Sequence, residues 1–96
     1  MNAVITYDIA ATYGTKDTDV KNKMRAQGYM ESFVTPSDNK TYYLPNTTLW
    51  KPNMTPAQAK ADLLSAASAC NAIVERLLAL EFNNNWEAIQ GKPYRS

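Results

Sequence analysis

The sequence predicts an α+β fold, an antiparallel sheet with two helices on one face. Three observations lead there. AVITYDI at residues 3–9 alternates as a half-buried strand does, MTPAQAKADLLSAASA carries a full set of helix-start signals, and TYYLPNTTLWK at 41–51 concentrates β-branched and aromatic side chains.

In the first strand Ala3, Ile5, Tyr7 and Ile9 point one way, while Val4, Thr6 and Asp8 point the other. Asp8 is the anomaly. An unpaired carboxylate is costly to bury, so Asp8 either sits at a wet strand end or has a neutralising partner. ATYGTKDTD is a loop punctuated by Gly14. DTDVKNKMRAQGY reads as a short helix, capped by Asp17 or Thr18 and ended by Gly28 in the left-handed position. Val20 and Met24, one turn apart, form its inner face.

YMESFV at 29–34 is a second strand and TPSDNK a turn-rich break. In TYYLPNTTLWK, Pro45 has no N–H to give to a ladder. A short piece before Pro45 and a better strand at Thr47–Lys51 are therefore expected. The second helix is the plainest local signal. Thr55 is its N-cap, Pro56 falls at the first helical position, and Gln58 completes a Thr-x-x-Gln capping box. Ala59, Leu63, Ala66, Ala67 and Cys70 share one face.

CNAIVERLLALEF can continue that helix, or Asn71 can end it and leave 74–82 as a strand. As a strand it places Arg76, Leu78, Leu80 and Phe82 on one side, with Leu77, Ala79 and Glu81 on the other. The strand reading completes the order βαββαβ, the ferredoxin-like plan. Residues 83–96 are expected to be an irregular tail or a short extra strand.

Ninety-six residues make one domain, 1–96, with a thin core that a homodimer would relieve. Ten basic and nine acidic residues leave a net charge of +1, so nucleic-acid binding would need a local patch. Histidine is absent and Cys70 is the single cysteine. That excludes an intramolecular disulfide, a Cys/His zinc site and a Ser-His-Asp triad. No leader-like or membrane-length apolar run is visible, so a cytoplasmic protein without a membrane partner is expected.

Lys16, Lys21, Lys23 and Arg25 cluster on the first helix and its approach, where they could meet phosphate. Asp17 and Asp19 lie among them, so a solvated helix face is the simpler reading. Tyr42, Tyr43 and Trp50 could stack bases from a sheet surface, or serve as core and dimer contacts. Asp8 is a candidate metal-ligating or catalytic carboxylate, set against a strand-end residue that accepts backbone N–H bonds.

The opening VITYDI resembles the small CRISPR-associated adaptation proteins, whose first strand ends in Tyr-Asp followed by an apolar residue. NTTLWKPNMTPAQAKADL resembles the third strand and second helix of the SinR-like small proteins, and Asn85–Trp86 is similar to their terminal segment. The VapD proteins and GhoS-type antitoxins share the plan. The resemblance implies that Asp8 of two subunits faces a shared Mg²⁺ or Mn²⁺ in metal-assisted RNA or DNA cleavage, which needs no histidine. The basic stretch that usually follows Tyr-Asp in the adaptation proteins is replaced here by alternating charges. Two expectations follow. One is a nucleic-acid-associated, endoribonuclease-like dimer. The other is a non-enzymatic protein-interaction module, antitoxin- or inhibitor-like, with a structural Asp8.

Overall fold

The computed structural model describes residues 1–10, 16–35, 37–83 and 86–91. The Gly14 loop, the proline of TPSDNK and Asn85 lie outside the described residues. The elements run β1 (Ala3–Ile9), α1 (Lys16–Ala26), β2 (Ser32–Val34), β3 (Thr41–Tyr43), β4 (Thr48–Lys51), α2 (Pro56–Ala69) and β5 (Val74–Glu81).

This is an α+β chain with two described helices, a three-stranded antiparallel sheet in the order β4-β1-β5 and a two-stranded sheet β2-β3. Among the described residues five strands stand where the simple plan has four. The third-strand region divides around Pro45 as its missing donor predicts, and Thr47 adopts a positive φ of 59° where the chain turns into β4. The expected second strand shortens to three residues and pairs with β3, Phe33 facing Tyr42. One isolated bridge, Met30 to Trp50, ties that hairpin to β4.

The central strand sets the layers. Ala3, Ile5 and Tyr7 are buried, and they share one core with Val20 and Met24 of α1 and Ala59, Leu63, Ala66 and Ala67 of α2. Leu77 and Ala79 of β5 pack against it from the side. Leu78 and Leu80, on the opposite face, stay 59% and 44% exposed. The alternation read from the sequence therefore holds in both long strands.

Helix ends follow local chemistry. α1 starts at Lys16, which puts Asp17 in the first turn rather than at the cap. Asp17 and Asp19 there, with Lys23 and Arg25 in the last turn, oppose the helix dipole favourably. Gly28 follows with φ +98°, and a side chain there would press on the Lys51 stem.

In α2 the Thr55 hydroxyl accepts from the Gln58 backbone N–H at 3.1 Å, with Pro56 in the first turn. The capping box is only half made, because the Gln58 side chain donates to Asp62 at 3.0 Å instead of turning back.

Asn71 settles the boundary that periodicity left open. Its φ is 54°, its N–H donates to the Ser68 carbonyl at 3.1 Å, and the Ala72 N–H donates to Ala67 at 2.8 Å. That double bond pattern is a Schellman ending, with asparagine in the seat glycine usually takes. Lys16 Nζ reaches across from α1 to the Asn71 and Cys70 carbonyls at 2.8 and 3.3 Å, adding a cation to the negative end of α2. The chain then reverses directly into β5.

Leu63 is fully buried between α2 and the sheet, so Leu63→Ala is expected to lower the unfolding free energy by about 2–5 kcal/mol. Thr55→Ala removes only a cap and should cost about 1 kcal/mol. Urea denaturation followed by circular dichroism measures both, and a larger effect at Thr55 would contradict this account of the core.

Candidate functional site

Asp8, the penultimate residue of β1, lies on the face away from the helices, with its side chain 56% exposed. Register places it opposite Arg76 of β5, and Arg76 Nε donates to Asp8 Oδ2 at 2.7 Å. Glu75 Oε1 lies 3.5 Å from the same guanidinium. The two carboxylates, Asp8 first, raise the Arg76 pKa above its ordinary value. The carboxylate therefore has water and a cross-strand cation, the two resolutions its position in the sequence demanded. Thr6, Tyr7, Asp8, Arg76, Leu77 and Leu78 line a depression of about 150 Å³ beside it. Among the described residues no group of three or more His, Cys, Asp or Glu side chains converges as a metal site would.

The four basic residues do not gather into one patch. Lys16 is bonded to the end of α2. Lys21 and Arg25 converge from one face of α1 on Glu31, at 3.3 and 3.8 Å, and Lys21 also reaches Asn46 at 3.5 Å. Lys23 stands exposed on α1. Lys21 and Arg25 share the single Glu31 carboxylate and Lys16 is engaged by backbone carbonyls, so the four cations are dispersed rather than presented together to a phosphate.

Trp50 and Tyr43 lie apart from these cations. The Trp50 indole N–H donates to the Ser32 carbonyl at 2.7 Å, and its ring meets Phe82 edge-on at 5.6 Å. Tyr43 sits half-buried on β3, where its backbone N–H donates to Gln90 at 3.0 Å.

The larger concavity lies here. Phe33 stacks on Tyr42 at 5.5 Å and receives Phe82 and Trp86 edge-on at 5.2 and 4.8 Å. Offset stacks and edge-to-face contacts of this kind add to the area buried. Phe33, Trp50, Phe82 and Trp86 wall an open groove of about 610 Å³, with Asn2, Thr35, Ser37 and Asn83 supplying polar groups and Val34 at its rim. None of these described lining residues carries a charge. The groove is of ordinary ligand-site size, its described lining divided between large apolar side chains and uncharged polar ones.

Asp38 anchors the turn at one end of the groove. It accepts hydrogen bonds from the Thr35 hydroxyl and, at 3.1 Å, from the Lys40 backbone N–H. These bonds, the Thr35 one first, hold its carboxyl below the usual carboxylate range.

A second polar arrangement left no mark in the sequence. Tyr29 is buried at 2% exposure, and its hydroxyl donates to Asp62 Oδ2 at 2.8 Å. Burial first, then the bond to Asp62, push the phenol well above its ordinary pKa. Lys51 Nζ lies 5.3 Å from the Tyr29 ring centre and donates to Gln27 at 2.7 Å. The aromatic cluster was half visible in the density of rings at 41–51. Phe33 joins it only once the β2-β3 register is known, and Trp86 only once the tail is folded back. No family model, curated protein or solved structure matches the chain.

The lowered Asp38 pKa makes its turn stabilising above the ordinary carboxylate range of about 3.9, a contribution lost as pH falls through the lower folded value. Carboxyl-carbon NMR titration should place the Asp38 midpoint below that of the unfolded chain, and Thr35→Val should move it upward. An unmoved midpoint in Thr35→Val would remove the hydroxyl from this account.

Proposed function

We propose that this chain is a non-enzymatic interaction module, a variation on the ferredoxin-like plan, whose aromatic groove holds an uncharged apolar segment of a protein partner. One observation carries the reading. The described groove lining holds four aromatic rings and no cation, so it has apolar area for a side chain and nothing with which to neutralise phosphate. The internal pairing of Lys16, Lys21 and Arg25 supports the same choice. On this reading Asp8 is a structural residue that accepts the Arg76 bond across two strands.

A second reading follows the resemblance to the adaptation and SinR-like proteins. There Asp8 would hold Mg²⁺ or Mn²⁺ for cleavage of RNA or DNA, and its exposure at a strand end favours it. A metal would have to compete with Arg76 for Asp8 Oδ2. The two readings differ in what they bind and in which residue matters.

A displayed peptide library selected on the protein tests the first. Enriched peptides are expected to be neutral and rich in large apolar side chains, and to lose binding to Trp86→Ala and Phe33→Ala. Equal enrichment on those variants would overturn the groove assignment. For the second reading, short single-stranded RNA and DNA are incubated with the protein and Mg²⁺ or Mn²⁺. The expected result is no cleavage. Cleavage that Asp8→Asn abolishes would replace the interaction-module reading with the enzymatic one.

A further inference from the structure

We propose that β5 is a self-pairing edge: two copies of this chain join antiparallel through Arg76–Phe82, about a two-fold axis at Ala79. The inference concerns a different surface from the groove and does not rest on it.

The sheet edges are unequal. On one side β4 is bridged to Met30, whose N–H donates to Trp50 at 2.8 Å while the Trp50 N–H returns a bond at 3.0 Å. The far edge of β3 is met by the tail, through the Tyr43 N–H and the Gln90 carbonyl. β5, the longest strand at eight residues, pairs with β1 alone among the described residues. A long open edge is a template for another strand.

The phase of the ladder says which groups are on offer. Phe82 donates its N–H to the Asn2 carbonyl at 2.7 Å, and the register continues Ala3 to Glu81, Val4 to Leu80 and Thr6 to Leu78. Antiparallel strands alternate bonded and non-bonded pairs. The bonded pairs with β1 are therefore those of Phe82, Leu80, Leu78 and Arg76. Leu77, Ala79 and Glu81 direct their N–H and C=O groups outward. On the other edge of β1 the same phase holds, since Tyr7 donates to Thr47 at 3.0 Å.

Symmetry then selects a register. The ladder shifts between Asp8 and Ile9, where Val74 rather than Glu75 pairs with Ile9, so Glu75 is a bulge. The regular edge runs from Arg76 to Phe82, and its midpoint is Ala79, itself an outward-bonding residue. A two-fold axis there pairs Ala79 with its copy and Leu77 with Glu81 of the second copy. On the outer face Leu78 comes opposite Leu80 of the second copy, and Leu80 opposite Leu78. These are the two leucines that β5 leaves exposed. About Ala79 the exposed leucines of the outer face meet each other across the axis, which points to a second copy rather than an unrelated extended peptide.

Light scattering over a dilution series reads the oligomeric state. The wild-type chain is expected at twice its 10.7 kDa mass. Ala79→Pro removes an outward N–H while the donors to β1, on Leu78 and Leu80, remain, so it is expected to be folded by circular dichroism and monomeric. Should that variant fail to fold, Leu78→Lys combined with Leu80→Lys takes its place and is expected to be monomeric, since both positions are exposed in the single chain. A monomeric wild type overturns the proposal, as does a dimer that survives in the folded variants.

Discussion

The register of β1 against β5 is the constraint on which the other features depend. Side chains in a strand alternate with period two, so a slip of one residue exchanges the faces of the whole strand. In the register observed, Ala3, Ile5 and Tyr7 enter the helix layer, and Asp8 meets Arg76 on the open face. A one-residue slip would turn Asp8 toward that layer and remove it from Arg76, while Ile5 and Tyr7 would turn outward. The energetic asymmetry is large, because a buried unpaired charge is far costlier than an exposed pair is stabilising. Asp8 and Arg76 therefore work as an index mark for the pairing of two strands distant in sequence. That role follows from position alone and requires no ligand.

The second constraint is the join between α2 and β5. The helix ends at a left-handed asparagine, and the strand begins three residues later at Val74. Lys16 holds the same corner from α1. Three elements therefore meet at one point, with the carbonyls of the α2 ending satisfied by backbone N–H groups and an ammonium. Such a corner fixes the strand's position relative to both helices, and with it the direction in which the Asp8–Arg76 pair faces.

Much of this was legible in residues. The core faces of β1, α1 and α2 follow from periodicity, because burying alternate or every-third-or-fourth side chains leaves a direct trace in composition. The split around Pro45 follows from a missing donor. Other features left no such trace. The pairing of β2 with β3 rather than with the main sheet is set by a three-residue register that composition cannot show. The bond from Tyr29 to Asp62 joins a residue from another segment to α2, a long-range contact that no local pattern announces. The basic cluster at 16–25 read as one group because its members are near in sequence. In space Lys16 belongs to α2's end and Lys21 to Glu31, since each ammonium goes to the nearest oxygen that the fold supplies.

The tail contact at Tyr43 has a consequence for how far assembly can go. A subunit with one unpaired strand edge forms a closed pair and then has nothing further to offer. A subunit with two such edges adds copies at both ends, and the product is an open-ended filament. By placing Gln90 on the β3 edge and Trp86 against Phe33 and Tyr42, the last described segment occupies the second of those edges. On the proposed pairing through β5, the segment would also act as a stopper on chain growth, seated by its aromatic contacts.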